Sequence, residues 1–190
     1  MSQEIEIEFK NLLTKEAFDY LLKAFPFPTN GQTQVNYYFE TEQFDLQKNK
    51  CALRIREKNN TYQLTLKEPH PDGILETHDH LSHQEANNWL AGHITYKPHI
   101  NEQLKQFNIS LDTLKYYGNL KTIRYEVNVQ DVLLVLDHST YHGHSDYELE
   151  IEARDKQTGI DFFNNILERH DIEKKETPNK IERFFNTRPK

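Results

Sequence analysis

Cysteine is almost missing from this chain of 190 residues: Cys51 stands alone, so no intrachain disulfide can form and a reducing compartment is the simplest setting. Apolar residues are few, 36% against 28% charged, so either the core is thin or many charges face something other than bulk water. Long hydrophobic runs are missing too. The longest, Val132 to Leu136, falls far short of the roughly 20 residues that span a membrane, so no membrane partner is expected. An excess of positive charge is also lacking. A net charge of −7 argues against a module for duplex nucleic acid, yet leaves room for a small polyanion, because the field inside a cleft can oppose the global sign. Met1-Ser2-Gln3-Glu4 is acidic and leads straight into patterned sequence, without a signal-peptide pattern, and a cytoplasmic location is expected. Internal repeats and Gly/Ser- or Pro-rich linkers are absent, so residues 1–190 are expected to form one domain. The sequence is compatible with a homodimer.

What the chain does have is strict alternation of apolar and polar residues, the mark of half-buried strands. The pattern predicts strands over 3–10, 33–40, 51–57, 61–67, 74–80, 119–129, 132–140 and 145–154. Helices are expected over 14–25, from Ser82 with Glu85 as a capping box, over 99–107, over 156–170, and as a short piece over 179–186. Asn59-Asn60 reads as a tight hairpin turn, and Gln130-Asp131 as another. Mostly antiparallel strands in this number can close into a barrel and leave no exposed edge. The expected class is α+β: a closed eight-stranded antiparallel barrel with helices outside.

The polar faces carry the functional signal. Residues at i and i+2 of a strand share a face. Glu4, Glu6, Glu8 and Lys10 oppose Ile5, Ile7 and Phe9; Arg54 and Arg56 oppose Leu53 and Ile55; Gln63, Thr65 and Lys67 oppose Leu64 and Leu66. Arg124 and Glu126 oppose Ile123 and Tyr125, and Glu148, Glu150 and Glu152 oppose Leu149 and Ile151. An ordinary sheet with its polar side in water explains any one strand. It explains poorly why one strand gathers carboxylates and another gathers arginines, since same-sign neighbours repel unless an opposite charge lies between them. If apolar faces pack outward on helices and charged faces line the barrel, the low apolar content is accounted for. Carboxylates two apart suit oxygen-preferring divalent ions, and Arg and Lys suit phosphate oxygens. A metal-bound triphosphate needs both.

Glu6-Ile7-Glu8-Phe9-Lys10 resembles the ExExK pattern of the CYTH superfamily, the triphosphate tunnel metalloenzymes. Leu53-Arg54-Ile55-Arg56, Leu66-Lys67, Arg124, Asp137, Glu148-Leu149-Glu150-Ile151-Glu152 and Lys180 follow in the family's order across nearly the whole chain. The resemblance implies Glu6, Glu8, Asp137, Glu148 and Glu150 as metal carboxylates. It implies Lys10, Arg54, Arg56, Lys67, Arg124 and Lys180 as ligands of the triphosphate. Glu148, Glu150, Lys67 and Arg124 are expected to act in catalysis, and Glu76, Glu126, Glu152 and Arg183 take plausible inward positions. Mg²⁺ or Mn²⁺ is the implied cofactor, with two ions during turnover. The implied activity is metal-dependent hydrolysis of a small triphosphate: inorganic tripolyphosphate first, a nucleoside or thiamine triphosphate next. A class IV-type adenylate cyclase and a non-catalytic polyphosphate- or nucleotide-binding module are the alternatives. A cyclase needs a base pocket, for which Tyr37, Tyr38, Tyr62 or Tyr141 are available, although such tyrosines more often serve packing. His78, His80 and His83, and His142 and His144, lack zinc-type spacing and read as solvated residues, with an inward role for the strand of Glu76, His78 and His80 left open. Cys51 has no basic activator beside it, and Trp89 reads as packing.

Overall fold

The computed structural model describes residues 2–188. Eight strands, β1 (Gln3–Leu13), β2 (Gln32–Glu40), β3 (Ala52–Lys58), β4 (Thr61–His70), β5 (Gly73–Leu81), β6 (Lys115–Val129), β7 (Val132–Tyr141) and β8 (His144–Ala153), close in the order β1-β5-β4-β3-β2-β6-β7-β8. The closed antiparallel barrel expected from the alternation is what forms. Asn59 and Asn60 both take positive φ, 52° and 58°, which matches the turn to the twist of the strands it joins. Gln130 (φ 54°) opens the β6–β7 turn, and His142 and Gly143 make the β7–β8 turn in the same left-handed region.

The chain forms two compact units, one from the residues up to Ile5 with Gln34–Leu120, the other from Glu6–Thr33 with Lys121 onward. In the first, Leu53, Ile55, Leu64 and Leu66 bury one face of β3 and β4. They pack on Ala86 and Trp89 of α3 (His83–Leu90) and Ile100 and Leu104 of α4 (Pro98–Gln106). Each wholly buried Leu or Ile contributes about 1.5–3 kcal/mol over an exposed one. Ser82 and Glu85 complete the predicted capping box at the start of α3. In the second unit Leu134, Leu136, Leu149 and Ile151 pack on Phe18 and Leu21 of α1 (Lys15–Ala24) and on Phe163, Ile166 and Leu167 of α5 (Lys156–Arg169). Gly159 lets α5 approach closely, since a Cβ there would stand 2.6 Å from the Phe9 ring.

Two differences from the sequence reading have clear causes. β1 continues through Asn11 to Leu13, pairing Asn11 with Leu149 and Leu13 with Tyr147. Asn11 breaks the polar alternation, yet its carboxamide is wholly buried because it donates to the Glu173 carbonyl and accepts from the Lys175 amide. The short helix α2 (Asp45–Lys48) leaves no signature in the sequence, because four residues carry no period. It is held by the buried Glu40 carboxylate, which accepts from the amides of Thr41, Leu46 and Gln47 at 2.8–3.0 Å. The last helix, α6, runs Lys180–Asn186. Among the described residues no helix is long and apolar enough to cross a membrane.

Candidate functional site

Because the apolar faces of β3 and β4 are spent on α3 and α4, Arg54, Arg56, Thr65 and Lys67 turn to the inside of the barrel. Antiparallel register then decides which charges meet. Lys67 stands opposite Glu76 on β5, and Thr65 opposite both Arg54 and His78. The Lys67 ammonium lies 2.5 Å from Glu76 Oε1, and Arg54 Nη2 lies 3.8 Å from that oxygen. On the other side of the carboxylate, His78 Nε2 is 3.5 Å from Glu76 Oε2 and 3.1 Å from Glu4 Oε1. Ligand atoms of Glu4, Glu76 and His78 fall within 4.8 Å of one another, forming a candidate divalent-metal cluster.

The donor chemistry of this cluster fits a divalent ion: two carboxylates and one imidazole. The second ring nitrogen of His78, Nδ1, is 3.0 Å from the buried Thr65 hydroxyl, the kind of outer contact that fixes the orientation of a ligating imidazole. The solvated reading of His78 therefore fails; its side chain is 11% exposed. Its shared parity with Glu76 was the available signal. Glu4 reads in the sequence as one more polar residue of β1, and nothing local sets it apart from Glu6.

The second unit concentrates charge more tightly. Arg124 on β6 faces Asp137 on β7, which faces Glu148 on β8. Arg124 also reaches Glu150 at 2.5 Å and lies 3.8 and 3.7 Å from Glu126 and Glu152. From α6, the Lys180 ammonium sits 2.9 Å from Asp137, 2.6 Å from Glu148 and 2.5 Å from Glu150. Arg183 pairs with Glu148 and, at 3.0 Å, with Asp146. On β1, Lys10 lies 2.7 Å from Glu8 and also bonds the Asn179 side chain, while Glu6 is half-buried on the same face.

These contacts set the protonation states. Burial opposes the charge on Asp137 and Glu150, but Arg124 and Lys180 overcome it, holding Glu150 well below the usual carboxylate range and Asp137 lowered as well. Burial wins at Glu148, where the carboxyl is pushed up to about 7 against the pull of Lys180. Burial works against the Lys180 ammonium, but the three carboxylates hold its pKa well above the usual lysine value.

Tyr37 and Tyr62 pack in the helix-covered cluster of the first unit, on the face away from Arg54 and Arg56. Tyr141 donates to Asp146 at 2.6 Å. Burial pushes the Cys51 thiol up to about 12, which removes it as a nucleophile at neutral pH. Trp89 is wholly buried and donates to the Thr95 hydroxyl, as packing required.

Fold and site together define a closed antiparallel barrel whose inner faces carry paired carboxylates, arginines and lysines. Residues 4–185 match the CYTH domain, and the chain belongs to that family. A Bacillus subtilis protein named "Putative triphosphatase YjbK" is 44% identical, over 100% of this chain and 99% of its own length. A crystal structure from Bacillus halodurans, described as a "putative adenylate cyclase", superposes with a TM-score of 0.93 at 41% identity, covering 97% of this chain and all of the other. A Hippeastrum protein, described as a "putative adenylyl cyclase" with a dominant triphosphatase activity, shares the fold with a TM-score of 0.80 at 22% identity and 97% coverage of each chain.

Proposed function

We propose that this chain is a divalent-metal-dependent hydrolase that cleaves a phosphoanhydride bond of a small triphosphate, with inorganic tripolyphosphate the first substrate to test and a nucleoside or thiamine triphosphate the next. One observation carries the reading. Glu76 accepts the Lys67 ammonium at one oxygen and belongs, with Glu4 and His78, to the metal cluster, so cations suited to phosphate and ligands suited to a metal share one carboxylate. The full-length likeness to a Bacillus subtilis protein named as a triphosphatase points the same way.

In this reading Arg54, Arg56 and Lys67 grip phosphoryl oxygens, and Lys10, Arg124 and Lys180 are the further cations offered to the triphosphate. Glu6, Glu8, Asp137, Glu148 and Glu150 remain the carboxylates assigned to metal by resemblance, and the Glu4–Glu76–His78 group adds a second donor set, enough for two ions. Imidazole suits Mn²⁺ better than Mg²⁺, which keeps to oxygen. A bound ion supplies charge neutralisation on the phosphate oxygens and a water of lowered pKa. The protein's own part is alignment and electrostatics: Lys67 and Arg124 stabilise charge that grows on the phosphate. Glu148, with its carboxyl near neutrality, is tuned to take a proton from the attacking water, and Glu150, held ionised, to orient it. The reading takes residues 1–190 as one cytoplasmic domain.

The test is product analysis with purified protein on tripolyphosphate, ATP and thiamine triphosphate under Mg²⁺ and Mn²⁺. Orthophosphate released from tripolyphosphate is the expected result. Cyclic AMP with pyrophosphate from ATP would replace the reading with a cyclase, and tight binding without product would replace it with a binding module.

A further inference from the structure

We infer that Asn36 is a further ligand of the substrate's phosphoryl oxygens, donating an uncharged N–H beside the Arg54 and Arg56 guanidinium groups. The inference rests on the triphosphate reading above. Asn36 lies in the middle of β2, directly opposite Arg56 on β3, and is wholly buried. The Arg56 Nε–H donates to its Oδ1 at 2.9 Å. Since a guanidinium nitrogen can only donate, the atom facing it must be the oxygen, and the orientation of the carboxamide is fixed by chemistry. The Nδ2 group is thereby turned elsewhere, and it has no acceptor. Two residues from Arg56 on the same face, the buried Nε of Arg54 also lacks one.

Native proteins keep few buried donors without partners, and each calls for an explanation. Both orphans on this face are donors. Among the described residues, the other unpartnered buried side-chain atom of this unit, Glu68 Oε2, belongs to the opposite face of β4, the one carrying Leu64 and Leu66. A group made of acceptors alone, with several oxygens close together, suits such donors, and a phosphoryl group is such a group. An asparagine that only supports Arg56, with its Nδ2 completed by an ordered water, would act on binding through Arg56 and add nothing once Arg56 is removed.

The experiment titrates the full chain with inorganic tripolyphosphate by calorimetry, without divalent metal so that no turnover intrudes, with thermal melts and steady-state hydrolysis alongside. Asn36→Ala should weaken binding roughly 10- to 100-fold, the loss for a hydrogen bond to a charged acceptor. Asn36→Asp keeps the acceptor that Arg56 needs, and so the fold, while removing both donors; it should bind at least as weakly. In an Arg56→Ala background, adding Asn36→Ala should still weaken binding several-fold. Unchanged affinity in either single variant would overturn the inference, as would no further loss in the double variant, which would reduce Asn36 to a support for Arg56. A wild-type chain that neither binds nor hydrolyses tripolyphosphate would bring down both readings. One that hydrolyses it, with Asn36→Ala matching it in binding, would bring down this one alone.

Discussion

Arg124 and Asp137 face each other across β6 and β7 and join in a two-pronged ion pair, Nε to Oδ1 at 2.8 Å and Nη2 to Oδ2 at 2.6 Å. Asp137 is wholly buried, so removing the guanidinium leaves its charge to the Lys180 ammonium, which Glu148 and Glu150 already share. Arg124→Ala is expected to cost about 3–5 kcal/mol of stability in urea unfolding, the usual penalty for breaking a buried pair from one side. Arg124→Lys keeps the charge but not the fork, and should recover only part of that loss. A stability change under about 1 kcal/mol for the alanine variant would mean that water reaches the pair.

Arg54 stands in contrast, with only a 3.8 Å approach to Glu76 and a partnerless Nε. Arg54→Ala should therefore leave the melting temperature within about 3 °C of the wild type, while tripolyphosphate hydrolysis falls at least about 100-fold, as when one preorganised donor is removed from a reacting oxygen. Glu150→Ala is a poorer probe of the site, because it takes one buried partner from each of Arg124 and Lys180 and should lower stability and turnover together.

Removal of the His78 imidazole tests the metal cluster. In His78→Ala, Mn²⁺ affinity by calorimetry should drop about tenfold or more, while Mg²⁺ affinity changes less, since that ion prefers oxygen. Equal losses for both ions would show that the imidazole does not ligate.

Glu68 offers a pH test. Burial raises its carboxyl pKa, with His70 pulling the other way, and its Oε2 has no partner. A carboxyl whose folded pKa lies above its unfolded value gives its full stability contribution below the unfolded value and loses it as pH rises through the folded one. Glu68→Gln carries no such charge. The melting-temperature difference between variant and wild type should move in the variant's favour as the pH rises from 4 to 8. A difference that stays constant with pH would show that Glu68 is hydrated.

Much of this was legible because a strand declares its two faces locally. The alternation around Arg54-Ile55-Arg56 and Glu148-Leu149-Glu150 reads directly as one greasy and one ionic side, and Asn59-Asn60 supplies its turn chemistry within two residues. Register is another matter. His78 and Glu4 lie 74 positions apart, and no local pattern says that β1 will lie beside β5 with those two residues level. Asn11 misled for a similar reason, since the backbone that satisfies it arrives 162 residues later. Parity gives the face, and only pairing gives the neighbour.

Lys180 and Arg183 reach Asp137, Glu148 and Asp146 from α6, which follows all eight strands in the chain. A nascent polypeptide leaving the ribosome thus makes every wall before Lys180 and Arg183, two cations that balance its deepest acids, have been synthesised. Until that final turn docks, Asp137 and Glu150 have Arg124 but not Lys180, Glu148 has neither Lys180 nor Arg183, and the unfinished interior favours protons and solvent over tight closure. Chains cut short before Lys180 should therefore be more protease-sensitive than the full chain, however complete their strands.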